Sequence, residues 1–100
     1  MLYVIIAEDC PGSLDKRAAV RAQHYERMTA MQNAGRLVIS GPCPAIDSPD
    51  PGAAGFSGSV IIAEFESLDE ARAWIAEDPY VKTGVFSNVT VKPFRKGFPR

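Results

Sequence analysis

Histidine and cysteine are scarce in this chain of 100 residues, which holds one histidine, two cysteines and no CxxC spacing. A structural zinc site needs about four such ligands and a disulfide framework needs patterned cysteines, so neither is expected, and Cys10 and Cys43 read as reduced thiols. An excess of one charge is missing too. Eleven basic and twelve acidic side chains leave a formal net charge of -1, mixed along the chain. That leaves no basic footprint for nucleic acid or an anionic membrane, and the expected partners are small molecules or further copies of the same chain. Long apolar runs are absent as well. The opening run "LYVIIA" has no basic residue before it and ends in Glu8 and Asp9, which fits neither a signal peptide nor a spanning helix. The expected location is the cytoplasm. No phosphate-cradling loop is present either, because "GAAGFSGS" is followed by a strand pattern rather than by lysine and a helix. No cofactor and no metal are expected.

What is present suits one domain over residues 1–100, since 46% of the residues are hydrophobic and the chain is long enough for one core but not two. The six-residue run "LYVIIA" reads as a strand buried on both faces and central in its sheet. Ser13 or Asp15 can cap a helix running through "LDKRAAVRAQHYERMTAMQNA", which Gly35 ends by supplying a left-handed residue. "RLVISGPC" reads as a second strand closed by Gly41-Pro42, with Leu37 and Ile39 on one face and Val38 and Ser40 on the other. "SVIIAEFES" is a third strand, "EARAWIAE" a second helix after the capping sequence "SLDE", and "GVFSNVTVKPF" a fourth strand. The stretch from Pro44 to Gly58, rich in proline and glycine, is longer than a hairpin needs and reads as a flexible cover.

The order βαββαβ predicts a ferredoxin-like α+β fold, an antiparallel sheet with both helices on one face. Two helices cover one face only, yet the strands are apolar on both. A homodimer packed sheet to sheet would cover the other.

The lone histidine, His24, shares a helical stripe with Arg17, Arg21 and Met28 at spacings of three and four. The stripe is expected to border an apolar face of Ala18, Ala22 and Tyr25, placing the imidazole at the rim of the core. Two readings fit that position. His24 either covers the helix edge beside solvated arginines, or works as a proton acceptor while Arg17 and Arg21 hold a substrate carboxylate. Asp78 stands where the second helix ends and can orient the imidazole, cap the turn that starts at Pro79, or do both. Ser40 can bond a substrate oxygen or its own backbone. Tyr80 offers an aromatic wall and a hydroxyl, or plain packing.

The histidine of the first helix, the "SGP" after the second strand, the loop "DPGAAGF" and the "DPY" before the last strand, taken in order, resemble the YciI-like (YCII-related) family over essentially the whole chain. The resemblance implies a dimeric α+β barrel of ferredoxin-like subunits and a His-Asp pair that falls on His24 and Asp78. The family's best-defined relatives resemble chloromuconolactone dehalogenases, which eliminate chloride from a small carboxylated lactone. The function so implied is a cofactor-independent lyase, isomerase or dehalogenase acting on a small acidic or lactone substrate. In it His24 is the general base, Asp78 its orienter, and Arg17, Arg21, Ser40 and Tyr80 bind substrate. The alternative is a non-catalytic dimer that binds a small, anionic metabolite or serves as an accessory module.

Overall fold

A computed structural model describes residues 1–100, in which four strands and two main helices follow the order expected from the hydrophobic pattern. Strand β1 (Leu2–Asp9) is followed by helix α1 (Leu14–Asn33), β2 (Leu37–Pro44), a 3-10 turn at Gly52–Ala54, β3 (Phe56–Glu64), α2 (Leu68–Ala76), the short α3 (Pro79–Lys82) and β4 (Phe86–Phe94). The strands form one sheet in the order β2-β3-β1-β4 with every neighbouring pair antiparallel, so β1 is central. This is the ferredoxin-like α+β fold.

Alternation along the strands divides the sheet into two faces. Tyr3, Ile5 and Ala7 of β1 stand beside Ile61 and Ala63 of β3 and pack with Met31, Ala71 and Ile75 of the helices into the core. The intervening residues point the other way. Ile6 and Ile39 there stay 42% and 61% exposed, and no element of the chain covers that face.

Three local expectations need correction. Strand β2 does not stop at Gly41-Pro42 but runs to Pro44, and its register shifts between Leu37, opposite Ala63, and Ile39, opposite Ile62. The extra residue, Val38, is a β-bulge, which turns Leu37 and Ser40 to the same, helix-covered face and Ile39 to the other. The long cover is shorter than Pro44–Gly58, because the strands extend into it from both ends and Ala45 donates its N–H to the Gly55 carbonyl at 2.9 Å. Helix α1 also faces the sheet differently. Ala18, Ala22 and Tyr25 are exposed, whereas Arg17, His24 and Met31 are buried. The polar stripe, not the alanine stripe, is turned inward, and it can be because its charges find partners there.

Where Gly58 of β3 lies against β1, only glycine fits. A Cβ at Gly58 would lie 2.1 Å from the Ala7 carbonyl oxygen, a backbone atom that cannot move without pulling β1 from β3. Gly58→Ala is therefore expected to destabilise the protein at the upper end of about 1–3 kcal/mol or beyond, read as a lower urea midpoint.

Candidate functional site

The site begins with a carboxylate in the interior. Asp78 is 0% exposed and follows α2 as the N-cap of α3, with its Oδ1 accepting the Tyr80 N–H at 3.0 Å and Pro79 in the first helical position. The same carboxylate meets His24, whose Nδ1 lies 3.1 Å from both Oδ1 and Oδ2. Capping and contact with the imidazole are thus combined in one residue. Arg27 completes the set, donating from Nη1 to Asp78 Oδ2 at 3.0 Å and from Nη2 to the Trp74 carbonyl at 2.6 Å.

With Nδ1–H directed at Asp78, the other imidazole nitrogen, Nε2, has no partner in the protein and is not sealed off from solvent. It opens on a cavity of about 570 Å³ between α1 and the β2 side of the sheet, whose walls include Arg17, Arg21, His24, Tyr25, Ser40 and Tyr80. That volume lies within the range of small-molecule sites. The Tyr80 ring is stacked on the imidazole at 4.2 Å between centroids and 23° between planes, which fixes the plane in which Nε2 can meet a ligand. The β2 bulge delivers Ser40 to the same cavity.

The two arginines of the α1 stripe differ in what they can do. Arg17 is buried, with Nε 2.6 Å from Asp9 Oδ2 and Nη2 bonded to Asp9 Oδ1, the Gly58 carbonyl and Ser59 Oγ. Its charge is balanced inside the fold, and its guanidinium centre lies 4.8 Å from the Tyr80 ring centroid, a cation–π contact that braces the ring. Arg21 is exposed on the cavity wall and pairs with no carboxylate of the chain. It is the cation available to an anionic ligand. Ser13, the N-cap residue of α1, makes no cap bond; its hydroxyl donates to Asp9 Oδ2 at 3.1 Å and joins the Arg17 network instead.

Burial alone would raise the Asp78 carboxyl and is the largest single influence on it. The hydrogen bond and charge of His24, the Tyr80 amide and the Arg27 guanidinium together outweigh burial and hold it below the ordinary carboxylate value. The folded protein then binds fewer protons there than the unfolded chain. Its contribution to stability is complete above the unfolded value of about 4 and is lost as pH falls through the folded one. Urea midpoints should accordingly drop below about pH 4, and the drop should shrink in Asp78→Asn. Burial pushes the Tyr80 phenol up against the opposing pull of Arg17 and Arg21, so it stays a neutral hydroxyl at physiological pH.

All six residues singled out in the sequence, His24, Asp78, Ser40, Arg17, Arg21 and Tyr80, meet at or directly behind this cavity. Sequence reasoning missed Asp9 and Arg27. Arg27 had a legible signal, since it lies three residues after His24 on the same helix face; Asp9 at a strand end had none. No group of three or more histidine, cysteine, aspartate or glutamate side chains is placed to hold a metal ion. No helix is long and apolar enough to cross a membrane.

These features define a ferredoxin-like α+β domain with a buried histidine–aspartate contact at the base of a small-molecule cavity. The chain belongs to the YCII-related domain family, whose model matches residues 1–95. It is 57% identical over 98 residues to Protein YciI of Escherichia coli O6:H1, covering 98% of this chain and all of that protein. An uncharacterized protein of Haemophilus influenzae is 53% identical with the same coverage. Among solved structures, a 5-chloro-2-hydroxyhydroquinone dehydrochlorinase from Burkholderia phenoliruptrix, in complex with 2,5-dihydroxybenzoquinone, superposes with a TM-score of 0.85 at 29% identity, covering 97% of this chain and 96% of that one.

Proposed function

We propose that this protein is a cofactor-independent lyase that removes hydrogen halide from a small, oxygenated and anionic ring, working as a cytoplasmic homodimer. The observation that carries the reading is the imidazole of His24, held through Nδ1 by a buried carboxylate while Nε2 opens on the cavity. Asp78 fixes the tautomer in which Nε2 is the free acceptor and stabilises the imidazolium that forms. His24 takes a proton from the substrate, and the electron pair of the carbon–chlorine bond leaves with chloride. The net loss is hydrogen chloride, with no oxidant or reductant required. Negative charge that develops on the ring oxygens is met by Arg21, the Tyr80 hydroxyl and Ser40, while Arg17 braces the Tyr80 ring from within the fold.

The dehydrochlorinase of similar fold supports the reaction class and supplies the probes. In the dimer, the apolar sheet face bearing Ile6 and Ile39 packs against its own copy, which removes exposed apolar surface that no element of one chain covers. The test is chloride release from 5-chloro-2-hydroxyhydroquinone together with binding of 2,5-dihydroxybenzoquinone. Turnover that falls in Arg21→Ala through both a higher KM and a lower kcat is expected, because Arg21 meets the anionic ring and the charge that develops on it. Saturable binding without chloride release would turn the reading to a metabolite-binding module, and neither binding nor release would overturn it.

A further inference from the structure

Arg27 makes three contacts that serve no obvious packing purpose. One turn after His24 on α1, it reaches Asp78 Oδ2 at 3.0 Å and the Trp74 carbonyl at 2.6 Å, and its guanidinium centre lies 4.3 Å from the Trp74 ring centroid. The backbone carbonyl and the ring hold the guanidinium in one place, with its charge directed at the carboxylate that also faces His24. Asp78 is therefore shared between two bases of very different strength.

We propose that Arg27 is a positioning residue that takes up the charge of Asp78 and so weakens the hold of that carboxylate on a proton at His24. The inference rests on reading His24 as the base. Counting charges around the imidazole gives the reason. Arg27 and Asp78 cancel, so a neutral His24 leaves the buried cluster uncharged, whereas an imidazolium would leave one uncompensated positive charge. Of the other groups facing this cluster, only Arg21 alters that sum. Arg17 on α1 is balanced by Asp9 of β1, Glu77 beyond α2 is paired with Lys82 on the solvent side, Tyr80 is a neutral phenol, and Tyr25 stands on the cavity wall. Arg21 adds charge of the same sign as Arg27. Without Arg27, Asp78 would be free to hold a proton on His24 before substrate arrives, and the base would be spent. With it, the extra positive charge appears only when the substrate gives up its proton beside Arg21.

The test is an NMR pH titration of the single imidazole in the wild type, Arg27→Gln and Arg27→Lys, without substrate. The titration midpoint is expected to move upward in Arg27→Gln, and upward by less in Arg27→Lys, which keeps the charge but cannot bridge Asp78 and the Trp74 carbonyl as a planar fork does. An unmoved or lowered midpoint in Arg27→Gln overturns the proposal, as does a displacement just as large in Arg27→Lys. If the glutamine variant does not fold, Arg27→Met, which also removes the charge, takes its place, and an unmoved or lowered midpoint there overturns it. Because no turnover is measured, the outcome is separate from the fate of the lyase reading. Absence of chloride release refutes that reading and leaves the titration result standing, while turnover with unmoved midpoints refutes only the role of Arg27.

Discussion

His24→Gln is expected to lower chloride release from 5-chloro-2-hydroxyhydroquinone by roughly 10²–10⁴-fold, the contribution of a positioned general base. Glutamine keeps a polar, planar end group near Asp78, so the loss should fall on kcat with little change in binding of 2,5-dihydroxybenzoquinone. An interaction made only in the transition state has that signature, whereas a pure ligand-binding residue would raise KM at constant kcat. Amide exchange and urea midpoints close to the wild type would place the effect in the chemistry. If turnover survives at more than about a tenth of the wild-type rate, well short of the loss a general base should cause, His24 is not the base.

Asp78→Ala is expected to be the most destabilising single change in the site. Removing the carboxylate leaves the Arg27 guanidinium, the His24 Nδ1–H and the Tyr80 amide facing an empty buried space. Breaking one side of a buried ionic cluster in this way costs about 3–5 kcal/mol, against a total stability of roughly 5–15 kcal/mol for a domain. For a domain of this size each kcal/mol shifts the melting temperature by about 4–8 °C, so thermal unfolding reads the effect easily. Asp78→Asn should lose less stability, because its amide oxygen can still cap α3 by accepting the Tyr80 N–H. It should lose nearly as much activity as Asp78→Ala, since a neutral amide cannot stabilise the imidazolium. Equal stability loss in the two variants would show that the charge of Asp78, not its capping of α3, carries its contribution to stability.

The order of elements was legible because it rests on strong periodic signals. "LYVIIA" announces a central strand, and Gly35, at φ +70°, ends α1 where a left-handed residue is needed. That β1 is central and the sheet antiparallel follows from the same run and from the order βαββαβ. What the pattern hid was the direction in which particular side chains point. A β-bulge at Val38 inserts one residue into an otherwise regular alternation, and nothing in "RLVISGP" marks it, so strict alternation puts Ser40 on the wrong face. Between Glu8 and Asp9 the pairing with β4 shifts as well, setting Phe86 opposite Asp9 and leaving Ser87 unpaired. That shift brings Phe86 onto the Tyr80 ring at 5.6 Å.

Helix α1 conceals its inward face for a related reason. Hydrophobicity assigns the inward face to alanines and Tyr25, yet Tyr25 is 60% exposed and Arg17 is buried. A guanidinium goes inside only if its charge is met there, and Asp9 that meets it sits eight residues earlier on another element. Such pairings are tertiary facts that a one-dimensional pattern does not contain. The same is true of Arg27 and Asp78, fifty-one residues apart in sequence.

The decisive measurement is a titration of 2,5-dihydroxybenzoquinone into the wild-type protein while the two nitrogens of its only imidazole are followed by NMR. If the cavity at His24 is the place where ligand meets base, the Nε2 resonance moves saturably with added ligand while Nδ1 keeps the signature of a nitrogen bonded to a carboxylate. Saturable binding that leaves both nitrogens unchanged would put the ligand elsewhere on the molecule and contradict the assignment of His24 as the base.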